Sequence, residues 1–338
     1  MAVTMHDVAR LAGVSIKTVS NVVNDYPYIR PQTRARVEAA IETLGYELNV
    51  TARQLKQGRT GMIGLAVPDL RVPYFSELAY SVMRAAEDRG LTLLIEQTGP
   101  MGERELDALR GQKRRLTDGL IFSPVSMSPD DTTPLAVTYP LVLLGERVFQ
   151  GPVDHVTMAN VEGAKAAASH LVERGCRHVA VIGAHPGEVV GSAGLRLKGF
   201  QAGLTEAGLT PDPRLVGVAG RWVHATGAEA MRQVLDTGAP VDGVFAMNDA
   251  LALGALRELH RRGFAVPDDV AVVGFDNIAQ TLYSEPPLTT IDVSRKHIAH
   301  EAVRMLIERM EGLDVAPRLL TAPFELVERA STARQGTT

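Results

Sequence analysis

A short segment near the N-terminus combines apolar, cationic, amide and hydroxyl side chains on one helical turn. Lys17 and Asn21 lie one turn apart on the same face, and Ile16 lies beside them. Side chains of these types can reach base edges in a DNA major groove. Thr18 and Ser20 supply the short hydroxyls that bind phosphates. The segment therefore predicts a DNA-reading surface, and a solvated three-helix cap without a ligand is the alternative.

The elements that must position these side chains are three short helices. Apolar residues recur at helical spacing in three sets, which are Val8, Leu11 and Ala12, then Val19, Val22 and Val23, then Val37, Ile41 and Leu44. Gly13 breaks the first pattern, and Ser15 stands where the N-cap of the second helix belongs. The third helix is expected to begin at about Pro31. Two helices that meet at a sharp turn, with a third behind them, form a helix-turn-helix domain.

The segment TMHDVARLAGVSIKTVSNVVN resembles the DNA-binding start of the lactose-repressor (LacI/GalR) family of bacterial transcription regulators. The similarity continues through TRARVEAAIETLGYELNVTARQLKQG and, more loosely, along nearly the whole chain. It implies that Ile16, Lys17 and Asn21 read bases, and that Lys17 has most influence on sequence choice. The resemblance implies a DNA-contacting set in this domain of Ser15, Ile16, Lys17, Thr18, Ser20, Asn21 and Asn24.

The stretch Val50–Lys56 matches a hinge helix that, in this family, forms only on DNA. A seven-residue helix is marginal alone, which agrees with that behaviour. The resemblance implies that Leu55 wedges into the minor groove, with Ala52 and Arg53 also at the DNA. Leu48 stands where a proline is common in the family. A linker leucine that packs on its own domain is the alternative for Leu55.

From residue 62 onward, short apolar strands alternate with amphipathic helices. One series of strands is MIGLAVP, LTLLIEQ, GLIFSPV and PLVLLG, and the second is HVAVIG, RLVGVAG, DGVFAMND and DVAVVGFDN. Such alternation predicts an α/β body of two doubly wound parallel-sheet lobes. Three domains are expected: a small all-α helix-turn-helix DNA-binding domain (1–48), a hinge helix and linker (49–60), and an effector-binding and dimerisation domain (61–338). The last of these is expected to have two lobes. The N-lobe would comprise about 61–159 and 291–318, and the C-lobe about 160–290 and 319–332.

Polar side chains cluster at the predicted carboxyl ends of these strands, the edge where such sheets bind ligands. They are Asp69, Asn248, Asp249, Asp276 and Asn277, joined by Arg196 after the glycine-rich GEVVGSAG. A carboxylate can accept two neighbouring hydroxyls and a guanidinium can donate to two oxygens, so the set suits a polyol or sugar. Tyr74, Phe75 and Trp222 add flat apolar faces for stacking.

The body resembles the periplasmic-sugar-binding-like regulatory domain of the same family. The resemblance implies an effector-binding set of Asp69, Tyr74, Phe75, Arg147, Arg196, Trp222, Asn248 and Asp276. Other roles remain open for some of the polar candidates: Arg196 could be a surface arginine, Asp276 a turn residue and Trp222 plain core. Asp249 is expected mainly to cap the helix DALALGALREL. One ring of Tyr74 and Phe75 is expected to face the ligand, and the sequence does not decide between them.

Charge is distributed unevenly along the chain. The whole chain has a formal net charge of −4, whereas residues 1–60 carry eight basic and five acidic side chains. A basic head on an acidic body lets one small domain approach DNA phosphates without making the rest of the protein adhere to them. The family resemblance implies a roughly palindromic double-stranded operator with a central CG step, which requires a homodimer.

The sequence argues against an enzyme and against an exported binding protein. It contains none of the motifs GxxxxGK[ST], GxSxG or HExxH, and the lone Cys176 has no evident base partner. Neither a catalytic group, a metal site nor a cofactor is expected. Asp7 and Arg10 interrupt any signal-peptide-like run, so a cytoplasmic location without membrane contact is expected. The prediction is a cytoplasmic, dimeric repressor of sugar-use genes that a sugar-type effector releases from DNA, with a purine-corepressed regulator as the alternative.

Overall fold

The computed structural model describes residues 3–23, 26–46, 59–128, 132–149 and 151–333. Two compact units make up the chain, Met1–Thr60 and Gly61–Thr338. The described residues of the first unit form helices and turns, and those of the second alternate strands and helices.

Residues 3–23 and 26–46 of the N-terminal unit form three helices around a small apolar core. They are α1 (Met5–Ala12), α2 (Ile16–Val23) and α3 (Pro31–Leu44). The buried side chains are Val8, Ala9, Ala12, Val19, Val22, Val37, Ala40 and Tyr46. Gly13 ends α1 with a φ of 63°, a left-handed conformation that glycine adopts without steric cost and that turns the chain into α2. The predicted helices are confirmed, but Leu11 is 53% exposed because Ala9 takes the inward position instead.

The larger unit alternates strands and helices in two lobes. The chain first builds β1 (Met62–Val67), α4 (Pro73–Glu87), β2 (Thr92–Gln97), α5 (Gly102–Arg110), β3 (Gly119–Phe122), β4 (Leu141–Leu144) and β5 (Asp154–Met158). It continues with α6 (Asn160–Glu173), β6 (Val179–Ala184), α7 (Ser192–Glu206), β7 (Val216–Val218), α8 (His224–Asp236), β8 (Gly243–Ala246), α9 (Asp249–Arg261), β9 (Ala271–Phe275) and β10 (Thr289–Asp292). It then returns with α10 (Arg295–Met310), β11 (Leu319–Ala322) and β12 (Glu325–Val327).

Each lobe contains one six-stranded sheet. The first sheet has the order β11-β5-β4-β3-β1-β2 and is parallel throughout. The second has the order β12-β10-β9-β8-β6-β7 and is parallel except for β12, which runs antiparallel to β10 at the edge. Helices α4 and α10 pack together in the first lobe, whereas α6 packs on α7 and α8 on α9 in the second. The predicted two-lobed, doubly wound body is confirmed.

The predicted points where the chain crosses between lobes need correction. Leu319–Ala322 pairs with β5 and so belongs to the first lobe, although it was predicted to lie in the C-lobe. Thr289–Asp292 pairs with β9 and β12, so the second lobe extends slightly past the predicted limit at about 290. The sequence could not assign Leu319–Ala322, because its pairing depends on β5, which lies more than a hundred positions away along the chain.

In both sheets the strand order reverses beside the first strand of the lobe, at β1 and at β6. β1 lies between β2 and β3, and β6 lies between β7 and β8. The loops that leave the carboxyl ends of neighbouring strands diverge at such a point and open a crevice in which ligands bind. The fold therefore places the loops after β1, β3, β6, β8 and β9 around one cleft.

Candidate functional site

The predicted DNA-reading face lies on α2 in the N-terminal unit. Val19 and Val22 are buried, whereas Ile16 and Lys17 are exposed and Asn21 is half-buried. The inner face of α2 is thus committed to the core, and the outer face is free to present polar groups. The predicted contacts Asn24, Ala52, Arg53 and Leu55 lie outside the described residues.

Ser15 begins α2 in the way the sequence indicates. Its Oγ accepts a hydrogen bond from the Thr18 amide at 3.1 Å, and the two hydroxyls lie 2.9 Å apart. This contact satisfies an amide that the first helical turn would leave without an acceptor. The amides at the start of α2 are consequently fixed, and with them the direction of the side chains on its outer face.

The second candidate site is a cleft between the two lobes of the body. It has a volume of about 510 Å³, in the range of small-molecule sites. All eight residues of the predicted effector-binding set line this cleft: Asp69, Tyr74, Phe75, Arg147, Arg196, Trp222, Asn248 and Asp276. Residues up to 207 positions apart in the chain are therefore brought to one cavity, as the strand-end rule anticipates.

Arg196 lies at the floor of the cleft and is 2% exposed, so it is not a surface arginine. Its Nε donates to the side-chain oxygen of Asn160 at 2.7 Å, and its Nη1 donates to the Met247 carbonyl. Nη2 lies 3.7 Å from Asp276 Oδ1, and the guanidinium stands 3.7 Å over the Phe275 ring. Burial lowers the pKa of Arg196, and the carboxylate of Asp276 opposes that shift. Nη2 also donates to Met158 Sδ at 3.4 Å, so each nitrogen of the guanidinium has a partner within the protein.

Asp276 follows β9 and presents a carboxylate that is 4% exposed. Burial raises its pKa to about 7, although the nearby Arg196 and Arg295 act in the opposite direction. Its φ of 112° lies in a region that side-chain-bearing residues rarely occupy. Such a conformation persists only where surrounding contacts impose it, and it occurs most often at binding sites.

Three aromatic rings line the same cleft. Tyr74 and Phe75 form an edge-to-face pair with ring centroids 5.2 Å apart, and both contribute to the wall. Trp222 is half-buried; its Nε1 donates to the Gly183 carbonyl at 2.9 Å while the ring borders the cavity. Trp222 is therefore not plain core, and the prediction that one of Tyr74 and Phe75 faces the ligand stays a prediction, since both residues line the cleft.

The capping role assigned to Asp249 belongs to its neighbour Asn248. The Asn248 side-chain oxygen accepts from the Leu251 amide at 2.8 Å, at the N-cap of α9. Asp249 is fully buried and instead accepts from the Ile278 amide at 2.9 Å and the Thr290 hydroxyl at 2.6 Å. Burial raises the pKa of Asp249 well above its usual range, and the negative charge of Asp276 adds to the effect. The sequence could not separate these roles, because the partners of Asp249 lie 29 and 41 residues away.

Asp69 lines the cleft, but its carboxylate already forms ion pairs with two arginines. Arg71 donates to both of its oxygens at 2.9 Å. Arg221 of the second lobe donates to Oδ2 at 2.7 Å. The hydrogen bond from Arg71 lowers the pKa of Asp69. Asp69 therefore joins the two lobes at the cleft in this conformation.

Two further groups in the cleft were missed by the sequence analysis. Glu146 follows strand β4, is 5% exposed, and accepts from the Ser192 hydroxyl of the second lobe at 2.7 Å. His185 follows β6, and its Nδ1 lies 2.8 Å from a Glu188 oxygen, which raises the pKa of the imidazole. Both Glu146 and His185 occupy strand ends, so the rule that selected Asp276 could have found them.

The described residues offer neither a metal cluster nor a membrane-spanning helix. Among the residues the structure describes, no group of three or more His, Cys, Asp or Glu side chains is arranged to hold a metal ion. Within the same part of the chain, no helix combines the length and apolarity needed to cross a bilayer.

Two family models and several known proteins match this chain. Residues 4–49 match the family model for bacterial regulatory proteins of the lacI family, and residues 168–332 match that for a periplasmic binding protein-like domain. The HTH-type transcriptional regulator DegA of Bacillus subtilis is 34% identical over 98% of this chain and 99% of its own length.

Two solved structures cover almost the whole chain. The Lac repressor dimer bound to operator and the anti-inducer ONPF superposes with a TM-score of 0.86 at 29% identity, covering 98% of this chain and 99% of that one. The complex of the transcriptional regulator CelR with cellobiose has a TM-score of 0.71 at 32% identity, covering 97% and 99%. With a helix-turn-helix head, a two-lobed α/β body and relatives that match from end to end, the chain belongs to the LacI family of DNA-binding transcriptional regulators.

Proposed function

We propose that this regulator is a cytoplasmic, homodimeric repressor, without enzymatic activity, that a neutral sugar-type effector releases from its operator. The observation that carries the effector class is the cleft itself. Arg196, Asp276 and Asn248 offer donors and acceptors at its floor, and Trp222 and Phe75 border it with apolar faces. Sugars present hydroxyls at their edges and apolar faces on their rings, so this combination suits them.

The relatives support the same class. The solved CelR structure is a complex with cellobiose, and it matches this chain over nearly its full length. A cleft of about 510 Å³ has room for a disaccharide as well as for a single sugar ring. Within the proposal, Asp69, Tyr74 and Arg147 complete the effector-facing wall.

DNA recognition is assigned to the face of α2 and to the hinge. We assign base contacts to Ile16, Lys17 and Asn21, and the positioning of the head on the DNA backbone to Ser15, Thr18, Ser20 and Asn24. Ala52, Arg53 and Leu55 form the hinge part of the interface. A dimer fits this assignment because a palindromic operator presents two equivalent half-sites.

Release follows from linkage between the two sites. An effector changes DNA affinity only to the extent that it prefers one arrangement of the lobes over the other. Closure of the cleft on a sugar is the change that would reach residues 49–60, which connect the lobes to the head in the sequence.

The effector claim is tested through Trp222, the only tryptophan in the chain. The purified protein is titrated with cellobiose, ribose and hypoxanthine while the emission of Trp222 is followed. A saturable change in emission with a sugar supports the proposal. Arg196→Lys replaces the planar guanidinium by a single ammonium and should weaken the binding of that sugar. A response to hypoxanthine alone would replace the sugar by a purine, and no response to any sugar would contradict the effector class.

The DNA claim is tested separately by selecting sites from a random duplex pool. A palindromic consensus that the effector weakens is expected. Recovery of no consensus would contradict the assignment of α2 as a reader, whatever the outcome with sugars.

A further inference from the structure

The loop that carries Asp276 is held in an unusual conformation. Asp276 and Asn277 have φ values of 112° and 52°, two consecutive non-glycine residues in the left-handed region. Such a conformation is unfavourable for a residue with a side chain and requires external contacts to persist. The contacts that impose this conformation therefore determine where the effector-facing carboxylate points.

Part of this support comes from the second lobe, to which the loop itself belongs. The Asp276 amide donates to the Ile291 carbonyl at 2.9 Å. Asn277 donates to Asp292 Oδ2 at 2.8 Å and accepts from Arg329 at 2.7 Å. These bonds join the loop to β10 and to the segment after β12, so they would move with the second lobe.

The remaining support comes from the first lobe. Arg295 is the first residue of α10, and its guanidinium donates to the carbonyls of Asp276 and Asn277. The same guanidinium pairs with Glu77 of α4, whose other oxygen accepts from the Ala279 amide at 2.9 Å. The side chains of Glu77 and Arg295 are only 26% and 14% exposed, so water weakens the pair less than it weakens a surface ion pair.

Glu77 connects the loop that bears Asp276 to a helix that also lines the effector cleft. Helix α4 begins with Pro73, Tyr74 and Phe75, so the helix that lines the effector cleft also carries Glu77 one turn later. Helix α10 packs against α4 and against strands of the first sheet. The loop that bears Asp276 is thus fastened to the two first-lobe helices beside the cleft.

We propose that Glu77 and Arg295 are positioning residues for effector binding: they hold the loop 276–279 of the second lobe against the first lobe and so fix the effector-facing Asp276. The inference rests on the proposed function for its effector part, since it assumes that a ligand contacts Asp276. Neither residue needs to contact the ligand. Because the anchors come from both lobes, a rotation of one lobe on the other must either strain this loop or break its hydrogen bonds to Glu77 and Arg295.

The positioning claim is tested without a ligand, by hydrogen exchange of the full chain followed by mass spectrometry. In Glu77→Gln the Ala279 amide keeps only a neutral acceptor, and in Arg295→Gln the two carbonyls lose their cation. Each variant is expected to exchange at least tenfold faster in a peptide that spans 276–282. The double variant should match either single variant, because both residues act on the same loop.

Arg304→Gln is the matched control. It removes a cation from the same helix, paired with Glu301 and Glu308, and has no contact with the loop. Its exchange at 276–282 should equal that of the wild type. Arg295→Lys keeps the charge but replaces the two separated nitrogens that reach the carbonyls and the carboxylate by a single ammonium, so its exchange should be intermediate. Equal exchange in Glu77→Gln, Arg295→Gln and Arg304→Gln would overturn the proposal.

The effector part is tested by titrating the same variants with the compound among cellobiose, ribose and hypoxanthine that shifts wild-type Trp222 emission. Glu77→Gln should raise the dissociation constant about tenfold, and Arg304→Gln should leave it unchanged. Faster loop exchange with an unchanged constant would overturn the role in effector binding. A wild type that responds to none of the three removes the proposed effector class, and the exchange experiment still decides whether the pair positions the loop.

Discussion

Effector binding should depend on pH through Asp276. Burial raises the pKa of this carboxyl to about 7. Only the ionised form accepts hydrogen bonds with both oxygens, so it is the form that can bind two sugar hydroxyls. With a pKa of about 7, the ionised fraction is about 0.9 at pH 8 and about 0.1 at pH 6. The dissociation constant should therefore rise about tenfold from pH 8 to pH 6, or about 1.4 kcal/mol.

Other charged groups surround Asp276 and must be separated from it. Arg196 and Arg295 stabilise its charge, whereas Glu146 and Glu77 oppose it, and Asp249 lies close enough to be affected by it. His185 also titrates in the cleft, because Glu188 raises its pKa. The matched variant is Asp276→Asn, which keeps the shape of the side chain and removes its titration.

The assay is calorimetric titration of the wild type and Asp276→Asn with the identified effector at pH 6, 7 and 8. The variant should bind more weakly than the wild type at pH 8 and show a flatter profile. An equal pH slope in both proteins would show that another group titrates. A constant wild-type affinity over this range would refute an ionised, effector-contacting Asp276.

The raised pKa of Asp276 also makes folding less favourable as pH rises from about 4 to about 7, since the folded state then holds a proton that the unfolded chain has lost.

Three further variants test the head, the hinge and the scaffold. Lys17→Ala should change the consensus in a binding-site selection, with about 1–3 kcal/mol lost at the base it reads, and an unaltered consensus would exclude it as a reader. Leu55→Ala should weaken specific operator binding while folding and effector binding are kept; unchanged specific affinity would remove the hinge from the mechanism. Asp154→Asn removes a fully buried carboxylate that binds Arg309 and Arg318 at 2.8–2.9 Å. The free energy of unfolding measured in urea should therefore fall by about 3–5 kcal/mol. A decrease below about 1 kcal/mol would contradict this reasoning.

Local patterns in the sequence were enough to predict the head and the strand ends. The break at Gly13 and the hydroxyl at Ser15 act within a few residues, and both behave as expected. The apolar strands likewise predict where Asp276 and Asn248 emerge, because parallel sheets bring the carboxyl ends of their strands to one edge. That geometry accounts for Asp69, Asn248 and Asp276 in the cleft, whereas Arg147 was selected through the family resemblance.

What the sequence could not predict depends on partners far along the chain. Asn248 and Asp249 are adjacent, and either could cap a helix. Which one does so is settled by Ile278 and Thr290, which claim the Asp249 carboxylate. The lobe assignment of Leu319–Ala322 is of the same kind, since its pairing with β5 leaves no local mark.

The pairing of charges within the cleft bears on the charge of the effector. Asp69 is neutralised by two arginines, Glu188 lies against His185, and Asp276 stands near Arg196. A charged ligand that contacts these groups would have to separate one of the pairs, and a buried charge left unpaired is costly. A neutral polyol can instead donate to Asp276 and accept from Arg196 while the pairs persist. Arg104 and Arg147 also line the cleft and are the side chains that a phosphate would have to contact. We expect the neutral form of the effector to bind more tightly than its phosphorylated form, and the opposite order would show that these two arginines decide the charge of the ligand.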